Sequence, residues 1–367
     1  MAGVYLSYPF CAQKCSYCNF ASGVQPRDLE PKYIGALRAE LEAMQWPWQP
    51  ETVYLGGGTP SLIDPRDLAG LLALIPGNPP DEKWPEATIE AAPGSITTAK
   101  AEIWRDAGIN RVSLGVQSFI QRELARTGRR HTAEIVAGEI ATLRAAGLGN
   151  VNIDLIAGLP GQTHDSWAAS LDWIAKLEPP HVSVYMLEVD QDSRLGAEVL
   201  ALGKRYGASD VPPDDAIADF YEIAVERLAS LGIPRYEISN FARAGFESRH
   251  NLKYWRREPY LGFGADAHSF DGRIDRGARW QNAESAGDYV ALIERGASPV
   301  VERTAADPGE RFFLGLRLNE GVEADWSPFA PAVEEFARQG LIEIDGQRLR
   351  LTPRGVLLSN EVFAEFI

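Results

Sequence analysis

The sequence has few of the features that mark membrane, secreted or disordered proteins. No stretch approaches the roughly 18 apolar residues that a membrane-spanning helix needs. The first ten residues lack the basic start and apolar run of a signal peptide. Apolar residues form 45% of the chain and charged residues 24%, which excludes low-complexity disorder. We therefore expect a cytoplasmic globular protein without a membrane segment of its own.

Basic residues are scarce relative to acidic ones. The 36 lysines and arginines face 51 aspartates and glutamates, so the formal net charge of the 367 residues is −15. Such a surface repels the phosphates of nucleic acids and the headgroups of anionic lipids. We therefore expect no nucleic-acid partner.

Cysteine is rare, and its three copies lie together. Cys11, Cys15 and Cys18 follow a C-x3-C-x2-C pattern. An odd, clustered set excludes a disulfide framework and indicates metal binding or catalysis. Thiolates favour zinc or an iron–sulfur cluster, and a cluster held by three thiolates keeps one iron open for another ligand. A metal-free group of reduced thiols is the remaining alternative.

Strand and helix patterns alternate along the first 190 residues. Helix ends at Gly108 and Gly147 each precede an apolar strand in the same way, which is typical of repeated βα units. The repetition predicts a parallel sheet, either open and doubly wound or a partial barrel. The predicted strands are Val4–Tyr8, Thr52–Leu55, Thr88–Ala92, Arg111–Val116, Val151–Ala157 and His181–Leu187.

The rest of the chain follows a different pattern. Helices are predicted at Asp214–Leu231 and Pro331–Gln339, and the second precedes a hairpin with an Asp345-Gly346 turn. A helix and a hairpin suggest a winged helix, but residues 301–367 carry seven arginines and twelve acidic residues, which opposes DNA binding. We predict a βα core over 1–235, a connecting region over 236–299 and a small C-terminal module over 300–367.

Polar and glycine-rich residues collect at the ends of the predicted strands. The cysteine loop follows the first strand, and Gly56-Gly57-Gly58-Thr59 follows the second. Glu90, Gln117 and Asp154 accompany the next three strands. Because parallel α/β folds bind ligands at the carboxyl ends of their strands, these features predict one binding mouth. The structural alternatives are a plain tight turn for the glycines and a buried, hydrogen-bonded carboxylate for Asp154.

The cysteine spacing after the first strand resembles the radical S-adenosylmethionine (SAM) superfamily. The resemblance implies that Cys11, Cys15 and Cys18 hold a 4Fe–4S cluster whose open iron binds SAM. It also implies an electron donor, because the reduced cluster of such proteins cleaves SAM to a 5′-deoxyadenosyl radical. The residues implied to bind SAM are Gly57, Gly58, Thr59, Glu90, Gln117, Arg129 and Asp154. For Arg129, the alternative to SAM binding is a solvated position at the start of a helix.

Longer motifs narrow this resemblance. The chain is similar along nearly its whole length to the oxygen-independent coproporphyrinogen III oxidase family, which has an oxidase branch and a HemW-type haem-chaperone branch. The oxidases carry a long extension before the first strand and a fourth cysteine just after the third cysteine of the motif. This chain starts at the first strand, has Phe20 in place of that cysteine, and has Ser7 where the family usually has histidine. The motifs are Tyr5-x-x-x-Pro9-Phe10-Cys11, Gly56–Ser61, Gly115–Phe119 and Asp154–Gln162.

Residues 250–255 read His-Asn-Leu-Lys-Tyr-Trp and are similar to the HNxxYW motif of the chaperone branch. That branch binds haem and passes it to respiratory haem proteins, so the resemblance implies haem and such acceptors as partners. Histidine is a common axial ligand of haem iron, which makes His250 the predicted haem residue and His268 a second candidate. The alternative for His250 is a structural, hydrogen-bonded histidine. Candidate partners of the haem propionates are Arg249, Lys253, Arg256 and Arg257.

Together these features predict a haem chaperone that binds a 4Fe–4S cluster, SAM and haem. The family implies an α/β fold, namely a partial (βα)6 TIM-like radical SAM barrel with a small C-terminal α+β, winged-helix-like module. The alternative function is oxidative decarboxylation of coproporphyrinogen III. A third, an iron–sulfur protein without SAM chemistry, is opposed by the glycine run and by the polar set from Glu90 to Asp154.

Overall fold

The computed structural model describes residues 2–77, 84–273 and 277–367. Its strands confirm all six predictions for the first 190 residues, with ends that differ by at most two residues. The strands are β1 (Gly3–Tyr8), β2 (Thr52–Gly57), β3 (Glu86–Ala91), β4 (Arg111–Gln117), β5 (Asn150–Ala157), β6 (His181–Met186), β7 (Asn240–Ala242), β8 (Tyr260–Phe263), β9 (His268–Asp271), β10 (Ala278–Asn282), β11 (Val300–Ala305), β12 (Val322–Glu323), β13 (Ile342–Asp345) and β14 (Arg348–Leu351).

Several helices begin or end at residues that cap them. Thr97, Thr132 and Thr163 accept backbone N–H groups at three helix starts, and Gly108 and Gly147 follow two helix ends with positive φ angles of 99° and 89°. The helices are α1 (Leu29–Ala43), α2 (Pro65–Leu72), α3 (Thr98–Asp106), α4 (Gln121–Thr127), α5 (Ala133–Ala145), α6 (His164–Leu177), α7 (Arg194–Leu200), α8 (Asp214–Ser230), α9 (Arg249–Trp255), α10 (Ala286–Glu294), α11 (Glu310–Gly315), α12 (Ala330–Arg338), α13 (Pro353–Leu357) and α14 (Ser359–Ala364).

One large sheet runs through the molecule in the order β11-β10-β9-β8-β1-β2-β3-β4-β5-β6-β7. Strands β1 to β6 are parallel, and β8 pairs in parallel with β1 on its other side. The sheet does not close on itself, because β7 and β11 are its two edges. This open parallel sheet is consistent with the partial barrel that the family resemblance implies.

The two faces of the parallel strands differ in polarity. On β4, Val112, Leu114 and Val116 are completely buried and join the main apolar core together with residues of the helices. The alternate residues of the same strand are polar or glycine, from Arg111 to Gln117. Since successive strand residues point to opposite faces, the sheet has an apolar helix-covered side and a polar interior.

The C-terminal module packs around an aromatic core. Phe312, Phe329 and Phe366 have ring centroids 5.1 to 5.2 Å apart. The predicted hairpin is confirmed as β13 and β14, joined through Gly346 with its φ of 61°, and the predicted helix is α12. Within the described ranges, no helix has the length and apolar character to cross a membrane.

Candidate functional site

The cysteine loop follows β1 and is tied back on itself by backbone hydrogen bonds. The Cys11 N–H donates to the Gly23 carbonyl at 2.9 Å, and the Gly23 N–H donates to the Pro9 carbonyl at 2.9 Å. Within the loop, the Cys18 N–H donates to the Cys15 carbonyl at 3.4 Å. All three cysteines are half-buried and form no disulfide, and the Cys11 thiol donates to the Ser22 hydroxyl at 3.8 Å.

The three thiols lie within electrostatic reach of one another. Burial raises the pKa of Cys18, the Phe20 backbone and Lys14 lower it, and Cys15 and Cys11 raise it. Among the described residues, no three His, Cys, Asp or Glu side chains converge as one metal ion would require. The thiolates of an iron–sulfur cluster bind separate iron atoms and need not meet at one point, so this loop fits a 4Fe–4S cluster.

The glycine run after β2 is bonded directly to the start of the cysteine loop. The Gly58 N–H donates to the Tyr8 carbonyl at 2.8 Å, and the Thr59 N–H donates to the Phe10 carbonyl at 2.9 Å. A Cβ atom added at Gly58 would lie 2.6 Å from the Phe10 oxygen, so only glycine permits this approach. The backbone at Gly58 and Thr59 therefore positions the cluster loop.

Glu90 lies near the carboxyl end of β3, beside this glycine run. Its carboxylate accepts the Tyr54 hydroxyl at 2.8 Å and the Gly57 N–H at 3.2 Å, where Gly57 has a φ of 107°. Burial raises the pKa of Glu90 to about 7, Tyr54 lowers it, and Asp154 raises it. Glu90 therefore changes charge close to neutral pH at the edge of the predicted SAM site.

The raised pKa of Glu90 has a measurable consequence for folding. The folded chain favours the protonated form of Glu90. Its contribution to the free energy of unfolding is therefore fully present below pH 4.5 and is lost as the pH rises through about 7. Between pH 5 and pH 8, we expect the free energy of unfolding of wild type to fall by about 2 kcal/mol more than that of Glu90→Gln, as measured by urea unfolding. An equal pH dependence in both proteins would show that the carboxyl titrates normally.

Gln117 and Arg129 meet at the end of β4. Gln117 has a φ of 70° and interrupts the β4–β5 register, and its Oε1 atom is buried without a partner among the described residues. Arg129 donates from Nη1 to the Gly115 carbonyl at 2.8 Å and from Nε to the Tyr17 hydroxyl at 3.0 Å. Arg129 thus connects β4 to the cysteine loop, and the free Gln117 oxygen can accept a ligand hydrogen bond.

Asp154 faces the same interior from the middle of β5. Its carboxylate accepts the Asn152 amide at 2.6 Å and the Ser113 hydroxyl at 3.4 Å. Burial raises the pKa of Asp154, while Asn152 and Ser183 lower it. Because Asp154 also raises the pKa of Glu90, the two carboxyl groups lie within electrostatic reach across the mouth.

The sequence interpretation missed a polar layer beneath this mouth. Arg111 is 2% exposed, and its Nε has no partner in the described part of the chain. Fully buried His181 pairs through Nδ1 with the Asn152 side chain at 2.6 Å and through Nε2 with the Tyr236 hydroxyl at 3.0 Å. The signal was available, because polar residues alternate with apolar ones in these buried strands.

His250 lies in helix α9 at the amino-terminal ends of β1 to β3, which is the end of the sheet opposite the mouth. Its ring is completely buried, with Nδ1 at 2.9 Å from the Thr52 hydroxyl and Nε2 at 2.8 Å from the Tyr254 hydroxyl. The ring stacks on Tyr54 with a centroid distance of 5.2 Å, and the backbone N–H of His250 donates to the Glu86 carboxylate at 2.8 Å. These contacts join α9 to β2 and β3, so iron ligation requires one of the two ring nitrogens to give up its partner.

Two candidate partners of the haem propionates, Lys253 and Arg256, form ion pairs within the chain. Lys253 contacts Glu51 and Glu258, each at 3.0 Å, and Arg256 contacts Glu320 at 3.1 Å. His268, the second histidine candidate, is exposed at the start of β9. Lys253 and Arg256 therefore already have carboxylate partners within the chain.

Comparison with known proteins identifies the two parts of the fold. The radical SAM superfamily profile matches residues 5–174, and the HemN C-terminal domain profile matches residues 307–358. The fold is similar to that of the Escherichia coli coproporphyrinogen III oxidase HemN, a radical SAM enzyme. The match covers 100% of this chain and 89% of the HemN chain, with a TM-score of 0.82. At 22% sequence identity, this likeness establishes the fold alone.

Curated relatives extend the comparison over the full length. The haem chaperone HemW of Lactococcus lactis is 33% identical and covers 99% of this chain and 96% of that protein. The haem chaperone HemW of Bacillus subtilis is 34% identical and covers 100% of this chain and 99% of that protein. With the cysteine loop, the glycine run and the α9 motif in place, this chain belongs to the HemW family of radical SAM proteins.

Proposed function

We propose that this protein is a haem chaperone that binds a 4Fe–4S cluster, SAM and haem and delivers the haem to haem-dependent proteins. The observation that carries the proposal is full-length similarity to HemW haem chaperones at 33% and 34% identity. The haem acceptors are respiratory enzymes in this proposal, and a cellular reductant supplies electrons to the cluster. Three free thiols suit a reducing compartment, which supports the cytoplasm as its location.

The SAM site is the mouth at the carboxyl ends of β2 to β5. The Glu90 carboxylate suits the ribose hydroxyls of SAM, and the Arg129 guanidinium suits its methionyl carboxylate. The unpartnered Gln117 oxygen offers a further acceptor beside them. The cluster supplies one-electron chemistry when bound, and the protein supplies orientation and shielding. The site also includes Gly57, Gly58, Thr59 and Asp154.

The α9 motif is the proposed haem-binding segment, with His250 as the iron ligand. Burial lowers the pKa of His250 to about 3, with Lys253 and Arg111 contributing, so the imidazole is neutral at physiological pH. The neutral ring is the form that binds metals. Ligation through Nε2 would replace its hydrogen bond to Tyr254.

Haem titration of four proteins tests this assignment. We expect wild type and His268→Ala to give a Soret band, and His250→Ala to lose it or shift it. Tyr254→Phe removes the hydroxyl that competes for Nε2, so we expect haem to bind roughly two- to tenfold more tightly. An unchanged spectrum in His250→Ala would reject His250 as a ligand, and unchanged affinity in Tyr254→Phe would reject ligation through Nε2.

Turnover of coproporphyrinogen III separates the chaperone from the oxidase alternative. Phe20, which stands in place of the fourth cysteine of the oxidases, is 66% exposed on the cysteine loop. After anaerobic reconstitution and addition of SAM and a reductant, we expect no protoporphyrinogen to form. Robust protoporphyrinogen formation would overturn the proposed function, and absence of haem binding by wild type would do so independently.

A further inference from the structure

A cleft of about 500 Å³ separates helix α9 from the C-terminal module. One wall carries Trp255, Arg256 and Arg257 from the end of α9, and the facing wall carries Arg311 of α11. Glycines at positions 272, 277, 315 and 321 also line the cleft, so its walls carry few side chains there. Its volume lies in the range of small-molecule sites, and its charged lining residues are three arginines and two glutamates, Glu320 and Glu323.

Buried N–H donors around this cleft have no acceptor among the described residues. They are the indole Nε1 of Trp255 and the Nε atom of Arg257, which line the cleft, and the Nε atom of Arg317, which lies outside the lining and 3.9 Å from Glu237 Oε2. The Arg317 guanidinium lies over the Trp255 ring, 4.4 Å from its centroid. Buried donors without acceptors are costly, so this group favours a ligand that brings oxygen atoms.

Each described carboxylate at the cleft already has an arginine partner: Glu320 pairs with Arg256, Glu323 with Arg348 and Glu310 with Arg279. Glu310 receives two bonds from Arg279, at 2.6 and 2.7 Å, and lies 3.6 Å from Arg257 Nε. Burial lowers the pKa of Arg257, Glu310 raises it, and Arg279 and Arg311 lower it.

Arg257 lies 3.6 Å from Glu310, but Arg279 already binds that carboxylate at 2.6 Å, so Arg257 has only a shared partner. Arg256 is paired with Glu320. Arg311 is exposed and has no ion pair within the described ranges. An anion is therefore expected to bind between Arg257 and Arg311.

We propose that this cleft binds the carboxylate groups of haem, with Arg257 and Arg311 as their partners and the Trp255 N–H as an additional donor. The inference rests on the proposed haem-chaperone function and adds where the propionates lie. It places them between the HNxxYW helix and the HemN-type C-terminal module. Arg256 and Lys253, which the sequence suggested for the same role, stay paired within the protein.

Haem affinity measured with single arginine variants tests the proposal. Haemin and haemin dimethyl ester, whose propionates carry no charge, are titrated into full-length wild type, Arg257→Gln, Arg311→Gln and Arg243→Gln. We expect each cleft variant to bind haemin about tenfold more weakly than wild type does. Arg243 is an exposed arginine after β7, at the opposite edge of the sheet, and its variant should match wild type.

The ester provides the second comparison. We expect wild type to bind the ester more weakly than haemin, and Arg311→Gln to lose most of that preference. Equal haemin affinity in wild type and both cleft variants, or equal affinity of wild type for haemin and its ester, would overturn the inference while leaving the chaperone function intact. Since Arg311 is exposed, its variant keeps the test valid if Arg257→Gln folds poorly.

Discussion

Replacing any one of Cys11, Cys15 and Cys18 by serine is expected to leave the protein without its 4Fe–4S cluster. The chain contains three cysteines in all, so no other thiol can take over the lost position. A thiolate binds iron much better than a serine hydroxyl does, and two remaining thiolates hold the cluster too weakly to survive purification. Iron and acid-labile sulfide after anaerobic reconstitution are expected to fall close to zero, and the visible absorbance of the cluster with them.

Ser22→Ala is the matched control for these variants. The Ser22 hydroxyl lies 3.8 Å from the Cys11 sulfur in the same loop, so the change alters the surroundings of the thiol but keeps it. We expect this variant to retain the iron and sulfide of wild type. A cysteine variant with wild-type iron content would show that the loop does not hold the cluster.

Replacing Gly58 by valine is expected to disrupt the cluster loop and the SAM site together. The new Cβ would lie 2.6 Å from the Phe10 carbonyl oxygen and 2.8 Å from that of Tyr8, and both are backbone atoms that cannot move aside. We expect a loss of stability of about 3 kcal/mol. Calorimetric SAM binding and cluster content should both fall, because the Gly58 and Thr59 N–H groups fix the strand that leads into the loop.

Gly35→Ala is the control for this change. Gly35 lies in α1, and a Cβ added there meets no atom within 4 Å. Alanine is the better helix former, so we expect a gain of about 0.5–1 kcal/mol with unchanged SAM binding. Gly58→Val with wild-type SAM affinity would show that the close approach is dispensable.

The parallel core could be predicted from sequence because its signals are local. The strands from β1 to β6 carry apolar residues at alternate positions, and the turns at Gly108 and Gly147 need the positive φ that glycine adopts. The pairing of β8 with β1 could not be read in this way. Both strands are short, and their partners are about 250 residues apart, so no periodicity within either segment indicates the other.

In the candidate site too, local motifs could be predicted from the sequence and long-range contacts could not. The cysteine spacing and the glycine run are local motifs, and the structure places them in direct contact. The contacts of His250 with Thr52 and Glu86 are long-range, so the sequence left its structural and haem-binding roles open. The roles of Arg257 and Arg311 depend on which neighbouring arginines are already paired, which only the three-dimensional arrangement shows.

The position of β1 between β2 and β8 also affects how the protein is made. Until residues 260–263 have left the ribosome, β1 has one neighbour and exposes an unpaired strand edge. The roughly 250 residues between β1 and β8 take on the order of tens of seconds to synthesise. The strand that leads into the cysteine loop therefore emerges early but gains its second neighbour late, so we expect newly made chains to self-associate more readily than the finished protein.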